Sequence, residues 1–285
     1  GKCRTMAVIF TSSFKAAGRT FGGTTFVGSQ RDSYYYYHPW GWSSQAAHWA
    51  LMARRYMIQY GTTEADLGEV AVLLREYAAM NDNATMRAPL TIEQYLDSRY
   101  IADPLHLLDM CLVNDGAVCL ILRRKAMTGG FAHTPVYISG WGDTEVTERK
   151  MQTMVQERLR PQLEEAGRIA FEMAGISRSD VQHFQGYDAA SIHLINQIEG
   201  YGFVEPGQGL AFWKDGGTRL DGDLPVNTSG GMLSEAYLLG WNHIAEAVRQ
   251  LRHEAGARQV TDVEISMSSL CTTESAHPLI FKRGE

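Results

Sequence analysis

Short apolar runs alternate with amphipathic stretches of helical length from Val136 onward, and this alternation constrains the fold more than any other feature. Val136–Gly140, Val181–Gln185 and a closing run, Val263–Met267, have the length and composition of strands. Between them, a stretch from about Glu145 to Ala174, interrupted at Pro161, and the segments Ala189–Gly200 and about Leu233–His253 have helical character. Strands that trade places with helices in this way build an α/β protein with layered sheets, because each sheet face needs a helical layer to cover it. The first part of the chain is more mixed. Met6–Phe10 reads as a strand core, and residues Thr11–Trp42 follow with no helical period, rich in Gly, Ser and aromatics. The run Tyr34–Tyr37 there reads as a strand or loop with alternate rings buried. Ser43 or Ser44 can cap a helix over Gln45–Gln59, which Gly61 would stop. A second helix spans Glu64–Met80 behind Thr62 or Thr63, and Thr91 with Gln94 forms a capping-box pattern for a short helix to about Arg99. Cys111–Arg123 reads as a buried strand region, and Thr128–Gly130 marks a break before the second half.

Composition removes several function classes. The 285 residues are 45% hydrophobic and 20% charged, too apolar for a disordered chain. A net charge of −6 does not suit a protein held by nucleic-acid phosphates. Apolar stretches such as Ala117–Leu122 fall far short of the roughly 20 residues that a spanning helix needs, so no membrane span is expected. Cys3, Cys111, Cys119 and Cys271 have neither metal-ligand spacing nor the density of a disulfide scaffold, which makes the cytoplasm the expected compartment. The arginines Arg54, Arg55, Arg75 and Arg87 read as a solvated face, with a phosphate contact as the alternative for one of them.

Most familiar catalytic patterns are absent. The Gly-rich segments Gly207–Gly217 and Gly230-Gly231 match neither a dinucleotide fingerprint nor a phosphate loop. There is no HExxH and no nucleophile elbow, and His183 and His193 read as buried or surface residues rather than metal ligands. No metal site is expected. No lysine sits in an apolar segment that would depress its pKa for Schiff-base work. Two segments remain. Gly186-Tyr187-Asp188 follows a strand, Asn227-Thr228-Ser229-Gly230-Gly231 leads to Ser234-Glu235-Ala236-Tyr237, and each is expected to open a helix. A helix N-terminus favours developing negative charge, so each tyrosine is a candidate for holding an oxyanion or enolate. Taken alone, both also suit an ordinary amphipathic core.

These segments resemble the thiolase superfamily, in its sterol-carrier-type branch. Asn227-Thr228-Ser229-Gly230-Gly231 is similar to the thiolase Asn-x-x-Gly-Gly segment, and the catalytic His of the motif after it falls on Tyr237. The run from Tyr187-Asp188-Ala189-Ala190-Ser191 to Glu205-Pro206-Gly207-Gln208-Gly209 resembles the segment beginning His-Asp-Cys-Phe, whose first residue falls on Tyr187. Tyr56-Met57, Tyr60–Thr63 and Ile101–Leu105 resemble the loop region of that group. The resemblance implies a thiolase-like layered αβαβα fold. Residues 1–130 would be a partial first half with a helical loop region over about 20–105, and 131–285 a second half carrying both tyrosines. The family segment with the nucleophilic Cys would lie ahead of Gly1, so the N-terminal part of the first half is expected to be missing. Cys271 falls near the C-terminal Cys-x-Gly region without reproducing that motif.

Two tyrosines at the catalytic positions resemble the bacterial steroid side-chain-degrading aldolases of this superfamily. What that resemblance implies is retro-aldol cleavage of a steroid β-hydroxyacyl-CoA to a 17-keto steroid and a short acyl-CoA such as propionyl-CoA. Tyr187 and Tyr237 would be the acid/base pair, with Tyr237 taking the hydroxyl proton and Tyr187 serving the enolate, or the reverse. Asp188, Asn227, Gly230 and Gly231 would contact substrate. No cofactor is expected in the chain: CoA arrives as part of the substrate, and zinc belongs only to the partner. That partner would be a small OB-fold, zinc-ribbon protein bound to a homodimer, giving a heterotetramer. The aromatics of Tyr34–Trp42 would line the steroid pocket or the partner interface. A true acetyl-CoA acyltransferase and a non-catalytic acyl-CoA or lipid carrier are the alternatives.

Overall fold

The computed structural model describes residues 3–18, 38–40, 44–127, 132–145, 156–272 and 275–284; the Tyr34–Tyr37 run, Trp42, Ser43 and the Thr128–Gly130 break lie outside the described residues. Strand β1, Thr5–Ser13, opens the chain and is followed by helices α1 (Gln45–Tyr60), α2 (Glu64–Ala79) and α3 (Ile92–Leu96). Gly61 ends α1 in the left-handed region at φ 69°, as a helix stop requires. Ser44 stands at its N-cap, yet its side chain caps nothing. The capping box expected at α3 is built, Thr91 exchanging hydrogen bonds with Gln94; at α2 the structure settles the cap on Thr63 and adds a second box, with Asp66, that the sequence reading did not name. Two short strands, β2 (Tyr100–Ala102) and β3 (Leu105–His106), precede β4 (Asp115–Arg123), which pairs antiparallel with β1 from Thr5↔Arg123 to Ser13↔Asp115.

Two expectations fail here. Strand β4 is not buried. It belongs to a two-stranded ribbon with one packed face, where Phe10 stacks on Trp241, so Cys119 is exposed and Ile121 keeps 61% of its surface. The arginines do not share one solvated face either. Arg54 pairs with Asp103 and Arg87 with Asp82 at the surface, but Arg75 is buried, donating to Ser234 Oγ and the Ala88 carbonyl.

The second half is organised by one mixed sheet. Its strands are β5 (Val136–Trp141), β6 (Thr144–Glu145), β7 (His183–Gly186), β8 (Ile265–Cys271) and β9 (Ser275–Arg283). They lie in the order β5-β9-β8-β7, with β6 beside β9; β7 runs parallel to β8 and the other pairs are antiparallel. Helix α4, Gln156–Ala174, packs on β5 and β9. Its backbone comes so close that a Cβ at Gly140 would collide with the Ala170 carbonyl. Helix α5 (Ser191–Gly200) is buried along its whole length, α6 (Gly209–Lys214) follows, and α7 (Trp241–Leu251) lies against β7 and β8. Among the described residues no helix is long and apolar enough to cross a membrane.

Three boundaries depart from the sequence reading. Helix α4 runs on through Pro161, its sixth residue, instead of breaking there. The chain closes on β9, hidden from a period-two reading because most of its residues are buried on both faces. The helix expected over Leu233–His253 is two pieces: a π-helical turn, Gly231–Glu235, and α7, separated by Leu239 and Gly240 at positive φ. That break decides the geometry of the site.

Candidate active site

Strand β7 ends at Gly186, and Tyr187 leaves it in a loop four residues ahead of α5. Tyr237 lies in the loop between the π-turn and α7, again four residues ahead of the helix. Neither tyrosine therefore stands in a first helical turn, contrary to the sequence expectation. Both loops are fixed by side-chain amides. Asn227, at φ 49°, accepts the Gly186 N–H (2.8 Å) and donates to the Gly186 carbonyl (2.9 Å). Gln197 of α5 does the same for Tyr187, accepting its N–H at 3.1 Å and donating to its carbonyl at 2.8 Å. Asn114, just before β4, accepts the Tyr237 N–H at 2.6 Å.

The result is convergence. Tyr187 and Tyr237, fifty residues apart in the chain, bring their hydroxyls to 3.5 Å, both residues being buried. The Tyr187 ring stacks near His193, and the Tyr237 ring stacks on Phe14, which follows β1. Burial pushes the Tyr187 phenol well above its ordinary range, and the neighbouring Tyr237 adds to the rise. Burial also raises Tyr237, while its hydrogen bond with Tyr187, in which either hydroxyl can donate, acts the other way. Both phenols are thus held neutral.

The polar residues expected to contact substrate occupy the scaffold of this pair. Asp188 is fully buried, and its carboxylate accepts Met232 N–H (2.9 and 2.8 Å), Leu233 N–H (3.3 Å) and a contact from His243 Nε2 at 2.9 Å. The anion at the open N–H groups of the π-turn is therefore the protein's own carboxylate. Gly231, at φ 59°, lies so close that a Cβ would overlap Asp188 Oδ2, and a Cβ on Gly230 would come within 2.7 Å of Ala78 Cβ in α2. Asn227, Gly230 and Gly231 are all buried. Cys271 and Cys111 are buried as well, and burial raises both thiols, which leaves them weak nucleophiles.

Gln197, Asn114 and His243 were missed by the sequence reading. Gln197 carries the faintest usable signal: an amide among Ile192, Leu194, Ile195 and Ile198, apolar residues of a packed helix where a buried polar side chain must have a partner. Of the two histidines noted in the sequence, His183 is satisfied by Ser266, Thr228 and Gln185. His193 is buried with neither ring nitrogen partnered.

Comparisons with known proteins agree with this architecture. The thiolase C-terminal domain-like family model matches residues 144–282. A 17-hydroxy-3-oxo-4-pregnene-20-carboxyl-CoA lyase of Mycobacterium tuberculosis is 39% identical over 75% of this chain and 57% of its own. A steroid side-chain-cleaving aldolase of Thermomonospora curvata is 35% identical over 79% of this chain and 59% of its own. An acetyl-CoA acetyltransferase of Methanothermobacter thermautotrophicus is 40% identical over 77% and 58%, so the chain spans somewhat under three fifths of the length of these curated relatives. Among solved structures, the Ltp2-ChsH2(DUF35) aldolase superposes with a TM-score of 0.87 at 30% identity, covering 98% of this chain and 72% of that one. By the family model over residues 144–282 and the superposition on the Ltp2-ChsH2(DUF35) aldolase, the chain belongs to the thiolase superfamily, with an SCP2-thiolase-like fold.

Proposed function

We propose that this chain is a carbon–carbon lyase that cleaves a steroid β-hydroxyacyl-CoA by retro-aldol chemistry, releasing a 17-keto steroid and a short acyl-CoA such as propionyl-CoA. The observation that carries this reading is the buried phenol pair, 3.5 Å from hydroxyl to hydroxyl. Similarity to two relatives named for steroid side-chain cleavage supports the substrate class.

Burial makes a resting phenolate costly, so the chemistry is assigned to a relay of neutral phenols. The substrate hydroxyl passes its proton to Tyr237 as Tyr237 passes its own to Tyr187. The bond between the hydroxyl carbon and the α-carbon breaks, and its electron pair enters the thioester as an enolate. In the same movement Tyr187 gives its own proton to the α-carbon, so neither phenol ever holds two protons and the enolate charge builds only as the bond breaks. The hydroxyl carbon becomes the ketone, and both tyrosines finish as neutral phenols. Asp188, Asn227, Gly230 and Gly231 serve by holding the two loops in register. CoA enters as part of the substrate. The working assembly in this reading is a homodimer carrying two small OB-fold, zinc-ribbon subunits; the similar Ltp2 aldolase is named with a DUF35 partner.

The test is Tyr187→Phe and Tyr237→Phe, singly and together, assayed with the partner present. Each single variant is expected to lose about 10²–10⁴ in kcat, the usual reach of general acid–base catalysis. The double variant should lose little more, since relay members act as a unit. Near-full cleavage by either single variant would refute the reading. Acyl transfer is the competing reading, favoured by the 40% identical acetyltransferase. It requires an acyl-enzyme, and trapping one during turnover would establish it.

A further inference from the structure

His193 is the third residue of α5, 1% exposed, and its two ring nitrogens meet no hydrogen-bond partner. Its ring lies edge-on to Trp49 of α1, centroids 5.2 Å apart, and stacks at 6.3 Å with the Tyr187 ring, whose hydroxyl meets Tyr237. Asp188 is close enough to interact electrostatically, but its oxygens are taken by the π-turn and His243. A buried polar group left unpaired costs about 1–3 kcal/mol. The same fold satisfies its other buried imidazoles beside the site: His183 has partners on both nitrogens, and His243 contacts Gln185 and Asp188. A phenylalanine at 193 would fill similar space without the unpaired nitrogens. An imidazole kept at that cost, in ring contact with the proposed proton donor, has its partner outside the resting chain.

We propose that His193 is a catalytic residue that donates a ring N–H to the thioester oxygen of the bound acyl-CoA, where enolate charge develops. This rests on the lyase reading above. In that reaction the thioester carbon is bonded to the α-carbon that Tyr187 protonates, so its oxygen lies close to Tyr187, the tyrosine on whose ring His193 stacks. As the carbon–carbon bond breaks, the electron pair moves onto this oxygen, and the hydrogen bond from His193 strengthens. When Tyr187 delivers its proton to the α-carbon, the carbonyl re-forms and His193 keeps its own proton throughout. Burial holds the imidazole neutral down to about pH 4. A neutral donor suits an enolate oxygen, because it stabilises the charge without a counter-ion that must be desolvated.

The test uses the full-length protein with its partner and two reactions: cleavage of a steroid β-hydroxyacyl-CoA, and hydrogen–deuterium exchange at the α-carbon of propionyl-CoA in D2O. The exchange needs an enolate but no carbon–carbon cleavage. His193→Phe is expected to lower both rates about 10²–10³-fold, as removal of one oxyanion donor does, with KM little changed and the melting temperature not lowered. His193→Gln, which keeps an N–H donor, is expected to recover part of both rates. His193→Phe within threefold of the parent in both reactions overturns the proposal, as does a loss that His193→Gln shares in full. A parent that exchanges but does not cleave sinks the lyase reading and leaves His193 to be judged on exchange alone. A parent that does neither overturns both.

Discussion

Mild acid should destabilise this protein, and the amount can be worked from its buried imidazoles. His183 and His193 are fully buried, and burial drives both down to about pKa 4 from 6.5. A histidine depressed in the folded state binds fewer protons than in the unfolded chain between those values. Its contribution is therefore complete above pH 6.5 and is lost as pH falls toward 4. With 1.36 kcal/mol per unit, each imidazole costs about 3 kcal/mol by pH 4. Asp109 opposes them. Burial raises its carboxyl to about 6 despite bonds from Ser191, Tyr95 and the His106 N–H, so it favours the folded state as pH falls through 6. That returns about 2 kcal/mol by pH 4. Glu235, raised by burial, acts in the same direction as Asp109, and His48, half-buried and lowered to about 4, acts with the histidines. His183, His193 and Asp109 alone give a loss of about 4 kcal/mol, a large part of the 5–15 kcal/mol typical of a domain. Urea unfolding of the parent and His193→Phe at pH 7 and pH 4 isolates one imidazole. The variant should lose about 3 kcal/mol less than the parent on acidification. Equal losses in the two proteins would refute the claim that His193 is buried and neutral.

Other perturbations follow from the same contacts. Gly231→Ala puts a Cβ onto the Asp188 carboxylate at a positive φ, and should cost about 3 kcal/mol or more in urea unfolding, against about 1 kcal/mol for backbone preference alone. Gln197→Leu removes the clamp on the Tyr187 peptide and should lower kcat more than it raises KM, with turnover falling roughly tenfold or more. Asn114→Ala, freeing the Tyr237 N–H, should do the same through the other tyrosine. A relay of neutral phenols should leave kcat flat from about pH 6 to 9, because both phenols are raised by burial; a rise that tracks ionisation of a single phenol would contradict it.

Much of the fold was legible because its signals were local. The capping box at Thr91 and the stop at Gly61 are written in short local patterns, and they were built as read. What escaped depends on distant partners. Strand β4 has the composition of a core strand, but among the described residues it pairs with β1 alone and keeps one face exposed. Arg75 looks like any helical arginine until Ser234 and Ala88, far along the chain or across a turn, take its donors. The helix expected from Leu233 is broken by left-handed backbone at Leu239 and Gly240, and at Leu239 no residue type announces it. At the site, the two tyrosines were found through their family positions, whereas Gln197, Asn114 and His243 act on backbone or carboxylate groups that only the folded chain brings near.

The break between the π-turn and α7 links fold to chemistry. In a continuous helix the Tyr237 peptide N–H would bond the carbonyl four residues earlier, and its side chain would be fixed by the helix face. Here that N–H goes to Asn114, while the π-turn spends its own open N–H groups on Asp188, the residue after Tyr187. One carboxylate therefore ties the loop of the first tyrosine to the turn that precedes the second, and an amide next to β4 sets the direction of the second. The hydroxyl–hydroxyl distance of 3.5 Å is the product of these two attachments. If that is how the pair is held, Asp188→Asn and Asn114→Ala should not act independently: each alone lets the pair drift, so the double variant should lose less in log kcat than the two single losses combined. Losses that simply add would mean that the two loops are positioned separately, and the relay would lose its structural basis.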